Sequence, residues 1–417
     1  MEKSFAWYLG IDWGTEEHAL CLLDAGGRVC GTRAVAHTAD AVQAAIQWVG
    51  QQTGVPPGDV AVGLERPRGV LVDTFLEQGF AMFAINPKQL DRFRDRFTVG
   101  GAKDDRRDAQ VAADALRTDR RAFQRIQPDD PQILQLREWC RVLEDLQIQI
   151  GRLTNRVRDQ LYRVDAAWLA FSPAADDAWL WALLAQRPHP DQWRRIGPGR
   201  LTTVLRAHRI RRVTAAELGA ALRQPRLTGA PGVADAVATQ LAILMPQLHL
   251  LHEQRLTAER QIDRWLQSLA APDDAPGQPG EHRDVVILRS LPGVGRTVAA
   301  TMLTEATSPL AARDYDTLRA YAGAAPVTKR SGKRAFFVHM RYACKHRLRD
   351  ALYHWARTSI QHDTAARAYY DALRQRGHAH ARALRSVADR WLRILIAMLR
   401  TRTLYDPSRF ATAPPAP

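Results

Sequence analysis

Residues 5–12 read FAWYLGID, a run of aromatic and aliphatic residues that ends in an acid, Asp12. The run is short, apolar and rich in strand-favouring residues, so it predicts a buried β-strand. Two similar runs follow, HALCLLD at 18–24 and RVCGTRAVA at 28–36, and the Gly26-Gly27 pair between them is typical of a hairpin turn. The beginning of the chain therefore predicts three strands in a meander.

From residue 40 onward, the pattern alternates between helix and strand. Residues 40–52 carry apolar side chains at helical spacing, namely Val42, Ala45, Ile46 and Val49. The later predictions are strands at 59–65 and 80–85, and helices at 70–78 and after Asn86-Pro87. This order predicts an RNase H-like α/β domain over residues 1–128, in which helices cover a mixed sheet.

Residues 129–270 differ from the first domain because long helical repeats dominate them. Apolar residues recur every seven positions, at Leu136, Leu143, Ile150, Val157 and Val164. A second long helix is predicted over 233–269, interrupted by Pro246. The two predict a long helical coiled-coil arm, which is usually a scaffold or a dimer contact. The Trp-rich and Pro-rich stretch 166–232 between them permits no assignment of structure or role.

A stretch rich in Pro, Gly and acidic residues at 271–283 predicts a linker. The mostly α-helical C-terminal domain then covers 284–405, and 406–417 form a tail. Gly293 and Gly295 lie between two predicted helices and resemble a helix-hairpin-helix, whose backbone N–H groups hold phosphate. An ordinary helix C-cap is an equally good interpretation.

The charge of the chain points to a nucleic-acid partner. The formal net charge is +15, and residues 329–402 contain 18 lysines and arginines against four aspartates, which gives that stretch +14. Such a concentration indicates a nucleic-acid footprint. Four scattered cysteines form no C-x-x-C pair, which argues against a zinc ribbon or a disulfide framework. Short apolar runs and the early Asp12 argue against a membrane span or a signal peptide, so a cytoplasmic protein is expected.

Four acidic residues form the first candidate site. Asp12 and Glu65 end the predicted first and fourth strands, which lie side by side in an RNase H-like sheet, and Asp105 and Asp108 share a helical face. Converging carboxylates repel unless cations neutralise them, and Mg²⁺ prefers such oxygen ligands. Any one of these acids, taken alone, is more readily a cap or turn residue. Asp104 leaves the register open, since it also shares a face with Asp108.

The second candidate site is the basic loop TKRSGKR at 328–334, which contains Ser331. Cations around a serine hydroxyl, together with a metal, would favour its attack on a phosphate. From composition alone, a phosphate-contacting loop whose serine is only a turn residue is the preferred interpretation. The predicted nucleic-acid contacts of this domain are Lys329, Arg330, Lys333, Arg334, Arg341 and Lys345, with Gly293 and Gly295.

Several of these motifs together resemble the DEDD transposases of insertion sequences. They are GIDWG with Asp12, GLERPRG with Glu65, INPKQLDRFRDRF leading to AKDDRRDA with Asp105 and Asp108, LPGVG, YAGAAPVTKRSGK and the closing basic helices. The resemblance covers roughly 1–160 and 284–405, in the order typical of an N-terminal RuvC-like domain and a C-terminal serine transposase domain.

The resemblance implies a site-specific DNA recombinase that uses Mg²⁺. Asp12, Glu65, Asp105 (rather than Asp104) and Asp108 would be metal ligands, and Ser331 would be the nucleophile that forms a phosphoserine linkage. An element-encoded bridge RNA would guide the reaction at nucleoid DNA, and dimers would assemble into a tetramer. Two alternatives stay open: a RuvC-like metal-dependent nuclease such as a junction resolvase, and a non-catalytic nucleic-acid-binding protein.

Overall fold

A computed structural model of the chain describes residues 4–96, 104–127, 130–225, 229–271, 283–331 and 334–410; along 328–339 and 409–410 it describes the backbone. Contacts divide the chain into two units, Met1–Asp130 and Pro131–Pro417. The predicted linker lies outside the described residues except for Ala271 and Arg283, as does the tail after residue 410. The finer division of the second unit into an arm and a C-terminal domain stays a prediction.

The first unit is built on a mixed sheet. Its strands are β1 (Trp7–Asp12), β2 (Glu17–Asp24), β3 (Val29–Ala36), β4 (Val60–Leu64), β5 (Ala81–Ala84) and β6 (Gln124–Arg125). They lie in the order β3-β2-β1-β4-β5-β6, with β1, β4 and β5 parallel and the other pairs antiparallel. The predicted meander and the adjacency of the first and fourth long strands are confirmed. The sheet is compatible with an RNase H-like domain.

Four helices accompany this sheet: α1 (Ala39–Thr53), α2 (Val70–Glu77), α3 (Pro87–Arg94) and α4 (Asp105–Asp119). Side-chain alternation along β1 divides the core into two layers. Leu9 and Ile11 pack in the layer that contains α1 and α2, whereas Tyr8 packs with the alanine-rich face of α4. Asp12 follows the parity of Tyr8 and therefore belongs to the α4 face of the sheet.

The second unit begins with two long helices, α5 (Pro131–Val164) and, later in the chain, α9 (Val233–Ala270). The first half of α5 shares a core with the last third of α9, and its end shares another core with the first half of α9, so the pair is antiparallel. Both long helices of the predicted arm are present, but the predicted interruption at Pro246 is wrong. The helix continues through Pro246 because Met245 and Leu248 beside it are buried, which offsets the missing backbone hydrogen bond.

The Trp-rich stretch that the sequence left unassigned is a small helical domain at the far end of these helices. It contains α6 (Ala178–Gln186), α7 (Pro198–Ala207) and α8 (Ala215–Arg223), with 3₁₀ turns at Ala166–Ala170 and Pro190–Arg195. Its core is built around four fully buried tryptophans, Trp168, Trp179, Trp181 and Trp193. These aromatic residues are therefore core residues, packed against α5 and α9.

The C-terminal helices pack on the near end of the same two long helices. They are α10 (Asp284–Ser290), α11 (Arg296–Glu305), α12 (Thr307–Ala311), α13 (Tyr315–Tyr321), α14 (His346–His362), α15 (Thr364–Gln375), α16 (His380–Thr401) and α17 (Pro407–Phe410). A two-stranded hairpin, β7 (Val327–Ser331) and β8 (Arg334–His339), stands between α13 and α14. Buried Arg137 of α5 donates to the carbonyl of Thr304 in α11, at 3.2 and 3.0 Å, and joins the two groups of helices. No described helix is long and apolar enough to cross a membrane.

Candidate active site

The register of two parallel strands places Asp12 beside Glu65. Ile11 of β1 pairs with Leu64 of β4, so the next residues of the two strands are Asp12 and Glu65. Both are partly exposed, as expected at the carboxyl edge of a sheet. The prediction that these two strand ends meet is confirmed by this register.

Helix α4 crosses the sheet at contact distance beside these acids. A Cβ atom at Gly10 would lie 1.8 Å from the carbonyl oxygen of Ala109, and one at Gly63 would lie 3.2 Å from that of Ala112. Each glycine precedes its strand-end acid by two residues, so Asp12 and Glu65 point to the α4 face. Asp108 comes directly before Ala109. The crossing therefore brings Asp108 to the edge of the sheet where Asp12 and Glu65 lie.

Asp108 is held by an arginine that the sequence analysis did not identify. Arg94, the last residue of α3, donates Nε–H to Asp108 Oδ1 at 2.7 Å and Nη2–H to Oδ2 at 2.9 Å. A further bond of 2.8 Å joins Arg94 Nη1 to Asp91 Oδ1. Only 3% of Asp108 is exposed. A buried carboxylate needs a partner, and here a two-pronged arginine supplies the opposite charge.

Glu65 also interacts electrostatically with Arg94. Burial lowers the pKa of Arg94, but the hydrogen bond to Asp108 and the charges of Asp108, Asp91 and Glu65 outweigh it, so that pKa is raised. Arg94 therefore stays charged between several carboxylates. The motif DRFRDRF contains this residue, but nothing in its local spacing indicates that Arg94 reaches a carboxylate fourteen residues later in the chain.

Asp104 and Asp105 have different surroundings. Asp104 is the N-cap of α4, and its side chain accepts a hydrogen bond from the backbone N–H of Arg106 at 3.2 Å. This capping role accounts for Asp104. Asp105 is exposed in the first turn, three residues before Asp108 and on the same helical face.

The predicted set of four metal ligands is not gathered into a ligand cluster. Within the described residues, no group of three or more His, Cys, Asp or Glu side chains is arranged to hold a metal ion. The donors are carboxylate oxygens, which suit a hard divalent cation. Asp108, the most buried of them, has both of its oxygens bonded to Arg94. Metal binding by Asp12, Glu65, Asp105 and Asp108 stays a prediction.

A histidine pair supports the turn that follows Asp12. The backbone N–H of Gly14 donates to Nδ1 of buried His18 at 3.3 Å, and Nε2 of His18 lies 2.8 Å from Nδ1 of His37. Because a backbone N–H can only donate, Nδ1 of His18 carries no proton, and its Nε2–H donates to His37. Burial, followed by the charge of His37, lowers the pKa of His18. The two histidines are nineteen positions apart, and no local spacing in the sequence indicates that they meet.

The residues of the predicted basic loop are only partly described. Ser331 ends β7 and pairs with Arg334 of β8, while Lys329 and Arg330 lie within β7. Lys333 lies outside the described residues. The structure therefore gives the backbone position of Ser331, which is the last residue of the first hairpin strand. The role of Ser331 as nucleophile stays a prediction.

Some of the other predicted nucleic-acid contacts are engaged in packing within the protein, and others have open space beside them. Gly293 has φ of +81°, and a Cβ there would lie 2.7 Å from the backbone nitrogen of Ser359, so it serves the packing of α14. Gly295 caps α11 and has open space around its Cβ position. Lys345 donates to the carbonyl of Glu305 at 2.6 Å and lies over the ring of Tyr321, inside its own domain. Arg341 lines a cavity at the base of the hairpin.

Comparison with known proteins covers both ends of the chain. A family model of IS110-type DEDD transposases matches residues 9–164, and a model described as "Transposase IS116/IS110/IS902 family" matches residues 285–371. A putative transposase from Sinorhizobium fredii is 44% identical over 209 residues, which are 50% of this chain and 58% of that protein.

Two relatives from Streptomyces coelicolor match along almost their whole length. The mini-circle putative transposase for IS117 is 29% identical over 98% of this chain and 97% of its own. An uncharacterized 43.6 kDa protein of insertion element IS110 is 30% identical over 96% of this chain and 95% of its own. The chain therefore belongs to the IS110/IS116/IS902 family of insertion-element transposases.

Proposed function

We propose that this transposase cuts and rejoins DNA by Mg²⁺-dependent transesterification with Ser331 as the nucleophile. The observation that carries the proposal is the pairing of Ile11 with Leu64, which sets Asp12 beside Glu65 at the edge where α4 brings Asp108. Carboxylates on two adjacent strand ends and one crossing helix suit the binding of divalent cations next to a phosphodiester.

The acidic site, defined as Asp12, Glu65, Asp105 and Asp108, would hold the metal ions. When bound, Mg²⁺ neutralises charge on the phosphate and on the leaving oxygen. Asp108 would be one of the ligands, and the guanidinium of Arg94, which donates to both of its oxygens, balances its charge. Asp105, which is exposed one turn before Asp108, supplies a further oxygen from the same helical face.

The chemical step needs one nucleophile and two proton transfers. Ser331 Oγ attacks the phosphorus and forms an O–P bond, while the P–O bond to the neighbouring sugar breaks. The departing sugar oxygen takes up a proton and leaves as a hydroxyl, and the serine proton passes to solvent. Reversal of these steps by another strand's hydroxyl rejoins the DNA and restores the serine. The strand position of Ser331 between basic residues supports this role, because cations there would stabilise the reacting phosphate.

Guidance by an element-encoded bridge RNA and assembly of dimers into a tetramer complete the proposal. The +14 charge of residues 329–402 supports binding of nucleic acid by this part of the chain. Sequencing the DNA that flanks the gene tests the RNA directly, because the proposal requires a structured non-coding segment there. RNA that co-purifies with the protein should map to that segment.

Trapping a covalent adduct tests the nucleophile. Wild-type protein with its RNA, Mg²⁺ and a phosphorothiolate-containing substrate should form a protein–DNA adduct that survives denaturation. Ser331→Ala should form no adduct and cut no strand, whereas Thr328→Ala, a matched hydroxyl deletion in the same strand, should keep both activities. Chelation of Mg²⁺ should remove the adduct.

Two outcomes favour the alternatives. Normal strand cutting by Ser331→Ala would make the acidic site the whole catalytic centre, as in a metal-dependent nuclease. DNA binding without cutting, unaffected by chelation and by substitution of the acids, would indicate a non-catalytic binding protein.

A further inference from the structure

A cavity of about 360 Å³ lies at the base of the β7–β8 hairpin. The end of α13, the turn before β7, the residues after β8 and the first half of α16 form its wall. Four arginines and one carboxylate line it: Arg319, Arg341, Arg382, Arg385 and Asp389. We name it the basic cavity.

The single carboxylate does not neutralise the cavity. Asp389 accepts two hydrogen bonds of 3.0 Å from the guanidinium of Arg319 and a third of 3.0 Å from the hydroxyl of Tyr315. No carboxylate among the described residues pairs with the other three arginines, Arg341, Arg382 and Arg385. The basic cavity therefore has an excess of positive charge.

Two of these arginines also have donors that the protein leaves poorly satisfied. Nε of Arg341 is shielded from water and has no hydrogen-bond partner in the described part of the chain. Nη2 of Arg385 donates to the thioether sulfur of Met340 at 3.0 Å, which is a weak acceptor. Shielded donors on charged groups are costly to leave unmet. A phosphate group would supply strong acceptor oxygens at this position.

A second cavity of about 180 Å³ adjoins the first and has a different character. The two share Gly323, Ala324, Met340 and Arg385 in their walls. The rest of the second wall is mostly apolar, and Tyr353, Leu352 and Leu384 belong to it. Tyr353 is 39% exposed, so part of the tyrosine is open to a ligand. We name this the apolar hollow.

We propose that the two cavities together bind one unpaired nucleotide, with its phosphate in the basic cavity and its base in the apolar hollow. Aromatic side chains stack on any exposed base, whereas the bases of a duplex are already stacked and paired. The proposal deepens the proposed function, since it rests on DNA as the substrate. Ser331 lies five residues beyond Pro326 along the strand, a span of roughly 16 Å. The bound nucleotide is therefore one that flanks the reacting phosphate.

Fluorescence anisotropy with short oligonucleotides tests the inference on the full-length protein. The probes are a single-stranded thymidine hexamer and a short hairpin duplex, both without divalent cation so that no strand is cut. Arg341→Gln/Arg385→Gln should weaken hexamer binding about tenfold and reduce the log–log salt slope by about one to two units. Tyr353→Ala should weaken it about tenfold and leave the salt slope unchanged.

The controls separate a built site from general charge. Duplex binding by the cavity variants should change less than twofold. Arg376→Gln should leave hexamer binding nearly unchanged; it removes one positive charge from an exposed arginine that lines neither cavity. Equal losses for duplex and hexamer, or an equal loss in Arg376→Gln, would overturn the proposal. Matching melting temperatures of all variants exclude misfolding as the cause.

Two further binding experiments identify the ligand. A uridine hexamer bound more tightly than the thymidine hexamer would overturn the assignment to a DNA strand, and the reverse would support it. Thymidine hexamers carrying 5-iodouracil at each position should cross-link to the peptide that contains Tyr353; cross-links elsewhere only would count against the apolar hollow. Because these experiments measure binding without cutting, they stay informative even if Ser331 proves not to be the nucleophile.

Discussion

The acidic site and the basic cavity both depend on charged side chains, but the protein holds them in different ways. Asp12 and Glu65 continue two hydrogen-bonded strands, and α4 is set against those strands by the contact at Gly10. The arginines of the basic cavity reach it on long side chains from helices and from the end of a hairpin. Metal binding needs fixed geometry, whereas phosphate binding needs mainly charge and donors. Substitutions in the two regions should therefore fail in different ways.

The largest expected effect is the loss of recombination when the acids are neutralised. Asp12→Asn and Glu65→Gln should each abolish it, because an amide is a poor ligand for Mg²⁺. DNA binding by the same variants should change less than twofold. Asp104→Asn is the matched control and should stay active, since asparagine caps a helix as well as aspartate does. An inactive Asp104→Asn with an active Asp105→Asn would shift the ligand register by one residue.

The next effect concerns the helix crossing that seats Asp108. Gly10→Ala places a methyl group 1.8 Å from the carbonyl oxygen of Ala109, so α4 must move away from the sheet. We expect the free energy of unfolding of the first unit to drop by about 3 kcal/mol. Gly50→Ala, in the last turn of α1 with nothing within 4 Å of the added Cβ, should be neutral or slightly stabilising. Chemical denaturation curves measure both, and equal values would argue against the close crossing.

Arg94 gives a test of the acidic site that does not depend on catalysis. Arg94→Ala leaves the buried carboxylate of Asp108 without its partner, and we expect a loss of about 2 kcal/mol of unfolding free energy, since the pair is partly shielded. Mg²⁺ should restore much of this loss if Asp108 binds the ion. Arg66→Ala, which removes an arginine stacked on Trp13 instead, should show no such rescue. A melting temperature of Arg94→Ala that ignores Mg²⁺ would contradict the ligand role of Asp108.

A smaller effect separates the two regions by salt dependence. Loss of one phosphate contact should lower the magnitude of the log–log salt slope of DNA binding by about 0.7 to 0.9. We expect this for Arg382→Gln at the rim of the basic cavity and not for Asp12→Asn. Binding titrations at several salt concentrations measure the slopes. A log–log salt slope near zero for the wild type would contradict the interpretation that the basic stretch 329–402 binds nucleic acid.

The smallest expected effect is on pH dependence. Burial and the charge of His37 lower the pKa of His18 below its ordinary value of 6.5. The unfolded chain therefore binds a proton at a pH where the folded chain does not, and stability falls as the pH drops below about 6.5. Equilibrium unfolding between about pH 7 and pH 5 should show this slope in the wild type and less of it in His18→Gln. His346→Gln, at an exposed position, should retain the wild-type slope.

Local patterns predicted much of the first unit. The apolar runs predicted the strands, and helical spacing predicted α1. The acids at the ends of β1 and β4 were predicted to meet because each follows an apolar run, and the parallel pairing of the two strands sets them side by side. The long helices α5 and α9 were predicted for the same reason, since a repeat of seven needs no knowledge of the partner.

The sequence was less informative wherever the cause lay far along the chain. Pro246 suggests a helix break, yet buried neighbours maintain α9 through it. The stretch 166–232 permitted no assignment from its sequence, and its tryptophans form the core of a helical domain. In both cases burial against distant helices outweighs the local preference.

The sequence by itself determined the order of the first five strands and the helices between them, the two long helices, the positions of the acids and the basic stretch, because these depend on local periodicity and composition. Only the tertiary structure decided that Arg94 holds Asp108, that His18 bonds to His37, and that four arginines of the second unit meet in one cavity with a single carboxylate. Each of these contacts joins residues brought together by packing, and no local spacing encodes which charged side chains meet once separate elements pack against each other.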